Sequence, residues 1–242
     1  VTGASSDAAL LDAFAATWPP AEAATHGGLR TGRGQGGGGR VSSTRAVGAW
    51  QAEDLDAAEA QHRAWGQAPL VMADEDEALA RHLAARGGWR RVKPTALLAA
   101  PIAALADSPP RPMTAFTVAW PPLAVQRALW AAGGVDAARQ AVMARVAGPK
   151  IALLGRGQDH PAAAAFAAAH GTVAFVHAME VASALRRQGL GAALLRKAAA
   201  WAQAQGASRL ALTVQMENEG ALALYRGLGF AEAGRYAYWR RD

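Results

Sequence analysis

Arg186-Arg187-Gln188-Gly189-Leu190-Gly191 stands between an apolar, strand-like run, Thr172 to Val181, and a 15-residue amphipathic helical pattern. Glycines at such a junction let successive backbone N–H groups converge on one point, because no Cβ obstructs the approach. The helix that opens there adds unpaired first-turn donors and the positive end of its dipole. The spacing therefore predicts a turn that holds a phosphate or a pyrophosphate, with contacts from Arg186, Arg187, Gln188, Gly189, Leu190, Gly191 and Ala192. A glycine pair that merely permits close packing is the competing explanation. In the helix that follows, Leu190, Leu194, Ala198 and Trp201 share one face and predict a core stripe.

Downstream come a strand pattern, Arg209 to Val214, and then Asn218, Ala221, Leu224, Tyr225, Gly229 and Phe230. Together these residues resemble the GNAT superfamily of acetyl-CoA-dependent N-acetyltransferases. The phosphate loop of that family reads Gln/Arg-x-x-Gly-x-Gly/Ala, and its next segment reads Asn-x-x-Ala-x-x-Leu-Tyr-x-x-x-Gly-Phe. The resemblance covers roughly residues 170 to 232. It implies an α/β fold with a mixed central sheet flanked by helices, acetyl-CoA as cosubstrate, and an amine acceptor, either a small molecule or a peptide.

It also implies roles for individual residues. A backbone donor for the thioester oxygen falls around Met179 to Val181, where the pantetheine arm pairs like an added strand. Asn218 hydrogen-bonds that arm or holds the splayed strand, while a plain helix N-cap explains it equally well. Tyr225, two helical turns further along the same face, donates a proton to the departing thiolate; an ordinary buried tyrosine is the alternative. The string His177-Ala178-Met179-Glu180-Val181 resembles the arylalkylamine acetyltransferases, with Phe175 where their first histidine stands. His177 suits proton abstraction near neutrality, and Glu180 is its rival on the opposite face of a regular strand, unless a bulge changes the alternation. Removal of the amine proton through water, with no dedicated base, is the third possibility.

The first half reads as a reduced copy of the second. Glu77…Leu83-Ala84…Gly88-Trp89 has the spacing of Asn218…Leu224-Tyr225…Gly229-Phe230, with no Gly-x-Gly turn at the matching place. Residues 1–108 are thus expected to form a degenerate GNAT-like half without a cofactor site, and residues 109–242 the catalytic half. The proline-rich stretch 106–113 is the expected linker. Further helices are expected over 6–17, 54–64 and 76–86, within 122–132 and over 136–146. Strands are expected over 40–46, 69–73, 89–99, 114–119 and 150–154. The alanine run 162–169 favours a helix by propensity, but its place before a His170-Gly171 turn and another strand makes it a hairpin arm. Gly32 to Gly37 matches G-x-G-x-x-G without a helix after it, so Thr31 to Gly39 is expected to be a flexible loop.

Composition narrows the classes. The chain has 242 residues, 52% of them hydrophobic, and no cysteine, so disulfides, thiolate chemistry and Cys-ligated metals are excluded. No apolar run approaches the ~20 residues of a membrane span and no leader pattern opens the chain, so a cytoplasmic protein is expected. The six histidines are scattered without metal-ligand spacing, and no metal is expected. The net charge of +6 comes almost wholly from arginine; it marks a solvated surface or a polyanionic cofactor, with no basic–aromatic run of the nucleic-acid-binding kind. A non-catalytic acyl-CoA sensor would keep the phosphate turn and need neither acid nor base. Oligomeric state has no signature in the sequence.

Overall fold

Every strand among the described residues joins one sheet. The fold is taken from a computed structural model, which describes residues 7–74, 76–106 and 114–241. The proposed boundary at 108/109 and most of the proline-rich linker lie outside these.

The first half contains helix α1 (Ala8–Ala16), a hairpin of β1 (Glu22–His26) and β2 (Leu29–Arg33), and strand β3 (Thr44–Ala46). Helix α2 (Ala52–Ala64), strand β4 (Leu70–Ala73), helix α3 (Ala78–Arg86), strand β5 (Trp89–Pro101) and the short helix α4 (Ile102–Ala106) complete it. The second half contains β6 (Ala115–Val118), α5 (Ala124–Ala132), α6 (Ala137–Arg145), β7 (Lys150–Gly157), β8 (His160–His170) and β9 (Val173–Val181). It continues with α7 (Leu190–Ala204), β10 (Arg209–Gln215), α8 (Glu219–Gly227) and β11 (Ala231–Arg241). Short polar side chains start several helices by accepting from the first turn: Asp7 from Leu10 N, Asp136 from Arg139 N and Asn218 from Ala221 N.

Two expectations are corrected. Thr31 to Arg33 is not loop but the end of β2, which pairs with β1 in register Glu22↔Arg33. The rest of the glycine stretch packs on the protein: Gly34 N donates to Gln67 Oε1 at 2.8 Å, and Arg145 of α6 donates to Gln35 Oε1 at 3.0 Å. The alanine run is strand, as its position demanded. Residues 162 to 169 are all buried, with Ala163, Ala165 and Ala167 under α7 and Ala164, Phe166 and Ala168 under α5 and α6. Covered on both faces, β8 needs small side chains, and that packing overrides the helical preference of alanine.

The strand order is β1-β2-β3-β4-β11-β5-β10-β9-β8-β7-β6. Each half repeats one pattern: β3 and β9 run parallel to β4 and β10, with α2 and α7 as the crossovers. In each, a further helix and a long last strand follow. Those last strands change sides. β5 pairs with β10 from Thr95 to Pro101, β11 pairs with β4 from Leu70 to Ala73, and β5 and β11 are antiparallel neighbours at the centre. Helices α2, α3, α4, α7 and α8 cover one face, and α1, α5 and α6 the other. An ion pair from Asp7 to Arg209 ties the start of α1 to β10.

Candidate functional site

β9 and β10 pair only over Arg209↔Val173, Leu210↔Ala174 and Ala211↔Phe175. Beyond that they part, and β10 keeps its hydrogen bonds on the other side through β5. A cavity of about 930 Å³ occupies the gap. Val176 to Met179 line one wall and Leu212 to Gln215 the other, with Asn218 and Tyr225 from the α8 side. Trp18, Arg40, Tyr236 and Tyr238 line it from the first half and β11.

The wall formed by β9 is bulged. Phe166 faces His177 across the ladder and Ala164 faces Glu180, so Ala178 and Met179 together oppose Ala165. Ala178 carries the positive φ of +49° that the extra residue requires. This changes the expected alternation, because His177 and Glu180 now share one face of the sheet. Trp130 of α5, wholly buried, donates its indole N–H to Ala178 O at 2.8 Å. In a planar trans peptide the next N–H points the opposite way, so that of Met179 is directed away from Trp130. Nothing in the sequence around Trp130 marks it, except that a buried indole N–H needs an acceptor.

The turn at Arg186 stands where the parted end of β9 leads. Gly189 is the N-cap of α7 with φ +84°, a left-handed conformation, and space is open where its Cβ would project. No side chain caps the first turn of α7. Arg186, Arg187 and Gln188 are exposed, and Arg186 Nε holds the loop by donating to Val181 O at 3.1 Å. Gly191 has a different reason: a Cβ there would lie 2.9 Å from Leu224 Cδ2, so it lets α8 close on α7. One glycine leaves a cradle and the other serves packing. The arrangement fits a pyrophosphate, with uncapped helix donors, an unobstructed approach and two arginines beside it. The matching turn of the first half does not fit one. There Asp54 accepts from Gln51 N at 2.9 Å, and Glu53 adds a second negative charge to the first turn of α2.

Tyr225 lines the cavity and is only 7% exposed. Burial, and then the neighbouring negative charge of Glu180, push its phenol up to about 12. Glu180 is half-buried beside Gly133, and burial raises its carboxyl above the ordinary range against the pull of Arg186 and Arg139. His177 lies elsewhere in the wall with both ring nitrogens engaged. Thr17 Oγ1 donates to Ala13 O, so it accepts from His177 Nε2 at 3.0 Å, while Arg40 Nη1 donates to His177 Nδ1 at 3.3 Å. The ring stacks on Phe175 with centroids 5.6 Å apart. Burial, then the adjacent guanidinium, hold its proton affinity well below the ordinary value. Asn218 is the N-cap of α8 and also lines the cavity. Met179 lines the cavity and Val181 ends β9. Among the described residues no cluster of three metal-capable side chains occurs, and no helix is long and apolar enough to cross a membrane.

Known proteins are similar to this chain in sequence and in fold. The profile of the acetyltransferase (GNAT) family matches residues 113–230. An aminoglycoside N(6')-acetyltransferase type 1 from Serratia marcescens is 33% identical over 135 residues, 51% of this chain and 90% of that protein. Among solved structures, a GCN5-related N-acetyltransferase from Kribbella flavida superposes with TM-score 0.72 at 21% identity, over 97% of this chain and 93% of its own. A tandem GNAT protein from the clavulanic acid biosynthesis pathway does so with TM-score 0.59 at 16% identity, over 81% of this chain and 74% of its own. These two likenesses speak for the fold alone. With the bulged strand, the glycine turn and the parted β9 and β10 lying within the matched segment, the chain belongs to the GNAT acetyltransferase family.

Proposed function

We propose that this chain moves an acetyl group from acetyl-CoA to a primary amine by direct attack within a ternary complex. One observation carries the proposal: a cavity between the parted strands reaches the phenol of Tyr225, and Met179 of its wall lies beside Gly191 in the uncapped turn. The turn grips the diphosphate, and the unpaired edges of β9 and β10 receive the pantetheine arm, with Asn218 beside it. The N–H of Met179, turned by the bulge, faces the negative charge that develops on the thioester oxygen; Val181 continues the same edge.

Two proton movements remain. Tyr225, held neutral by its raised pKa, donates to the departing thiolate. Glu180 accepts the proton of the attacking amine through water; its raised carboxyl is closer to the working range than that of a free glutamate. The geometry favours Glu180 over His177, because the imidazole lone pair is committed to Arg40. With no cysteine in the sequence there is no thiol to carry an acyl group between substrates. The Serratia marcescens relative, by its name, acts on aminoglycosides, which supports a small-molecule amine as acceptor here. Thiol release from acetyl-CoA across a panel of amines tests the reading, with Tyr225→Phe as control. Turnover with at least one amine is expected. Binding of acetyl-CoA with no release across the panel would replace the enzyme with a sensor.

A further inference from the structure

The cavity is not lined for a polycation. Its lining includes the cationic side chains Arg40, Lys93 and Arg139 against one acid, Glu217. The residues of the phosphate turn are absent from that lining, and Arg40 stands on the face of the sheet away from α7, among residues of α1, β9 and β11. Its charge is therefore not explained by the diphosphate.

Among the described residues Arg40 is a cation without a counter-charge. Its guanidinium lies 3.6 Å over the ring of Phe14 and 5.5 Å from that of Phe175. One nitrogen donates to the carbonyl of Phe14 and another to the neutral ring of His177. Its Nε–H is buried with no acceptor in the protein. The titratable groups around it are the phenols of Tyr236 and Tyr238, neutral at pH 7, and a second cation, Arg45; among the described residues no carboxylate faces it. A buried charge left unpaired costs several kcal/mol unless a ligand supplies the partner. A clamp between α1 and β9 would need only the two bonds already made, and a neutral side chain would provide them at lower cost. Burial lowers the guanidinium to about 10, so the charge persists at neutral pH.

We propose that the acceptor amine carries a carboxylate, and that Arg40, with the hydroxyls of Tyr236 and Tyr238, holds that carboxylate at the first-half end of the cavity. The proposal rests on the transferase reading above and deepens it: the acceptor is an amino acid or a similar amino-carboxylate, and the first half supplies the residue that selects it. The distribution of charge disfavours aminoglycosides, whose several ammonium groups would meet the same arginines.

The wild-type protein tests this without any substitution. Thiol release from acetyl-CoA is measured with the twenty common amino acids, their methyl esters, their decarboxylated amines and an aminoglycoside. At least one amino acid is expected to exceed its own methyl ester in kcat/KM by about 100-fold, the effect of removing one partner of a buried charge pair. Arg40→Met is expected to raise the KM for that amino acid by a similar factor and leave the KM for acetyl-CoA unchanged, with partial recovery in Arg40→Lys. Should Arg40→Met not fold, Tyr238→Phe and the wild-type acid-to-ester ratio decide the question. Equal use of acid and ester, or preference for the ester, the decarboxylated amine or the aminoglycoside, overturns the proposal. If no amine releases thiol, the transferase reading fails by itself, and calorimetric titration with N-acetyl amino acids and their methyl esters still reads the carboxylate site. Acid-selective binding there supports it, and binding of neither or of both alike overturns it.

Discussion

Burial first, and then the negative charge of Glu180, set the chemistry of Tyr225. Because the phenol stays protonated until about 12, Tyr225 contributes no alkaline limb to the pH–rate profile below about pH 11. Tyr225→Phe is expected to lower kcat by about 10² to 10⁴, the usual contribution of a positioned acid, with the KM for acetyl-CoA within about twofold. Steady-state kinetics on both substrates checks it, and an unchanged kcat would remove the phenol from the mechanism. Glu180 should set the acidic limb: activity is lost as pH falls through its folded pKa, which lies above the ordinary 4.5. Glu180→Gln is expected to abolish that limb, whereas a limb that survives in this variant and disappears in His177→Asn would return the role to the imidazole. The glycine turn at Gly189 and the N-cap at Asn218 were legible from local backbone geometry, and Tyr225 was singled out by the family resemblance. Arg40 and Trp130 were not. Arg40 meets His177 across 137 residues and Trp130 meets Ala178 across 48, so nothing near either residue along the chain announces its partner.

At the level of elements, the bulge in β9 depends on α5. Trp130→Phe keeps most of the buried ring and removes only the N–H that Ala178 O accepts. The orphaned carbonyl is expected to cost about 1–3 kcal/mol of stability, read by chemical denaturation. If the N–H of Met179 is the oxyanion donor, kcat should fall about 10-fold or more in the same variant while the KM for acetyl-CoA holds. A stability loss with unchanged kcat would separate the bulge from catalysis. Elements carrying strong local signals were read correctly from the sequence, such as α7 with its apolar stripe and the β10–α8 pair with its caps. The β1–β2 hairpin was not, because Glu22 to Arg33 alternates weakly and offers little apolar side chain for a pattern to detect. For β8 the composition pointed the wrong way, and only the turn at its end and the strand after it pointed to an extended conformation.

The whole molecule answers to pH through histidines outside the site as well. His62 is 1% exposed, accepts or donates with Thr44 Oγ1 at 3.0 Å and meets Gln67 at 3.3 Å. Burial lowers it to about 4, and His177 shifts in the same direction. Both are neutral in the fold, so the unfolded chain takes up protons first as pH drops below about 6.5. Stability present above that value is therefore lost as pH falls toward 4, by about 3 kcal/mol for His62 alone. Urea unfolding at pH 7 and at pH 4.5 measures this, and His62→Gln is expected to flatten the dependence. The likeness of the two halves was visible along the chain, but the exchange of their last strands was not, since pairing between distant strands leaves no periodic mark. Expressed alone, residues 109–242 would lack β5, the neighbour of β10, and both partners of β11. That fragment is expected to show no cooperative melting transition, and a sharp transition would contradict the shared sheet.

The interleaving of β5 and β11 has a consequence for synthesis. As the chain leaves the ribosome, β4 and β5 are made early yet never become neighbours, because the slot between them belongs to β11, which is made after every other described strand. The nascent protein must hold that slot open, exposing two strand edges to other chains, until β11 arrives. A chain truncated just before Ala231 would leave both halves unfinished at once.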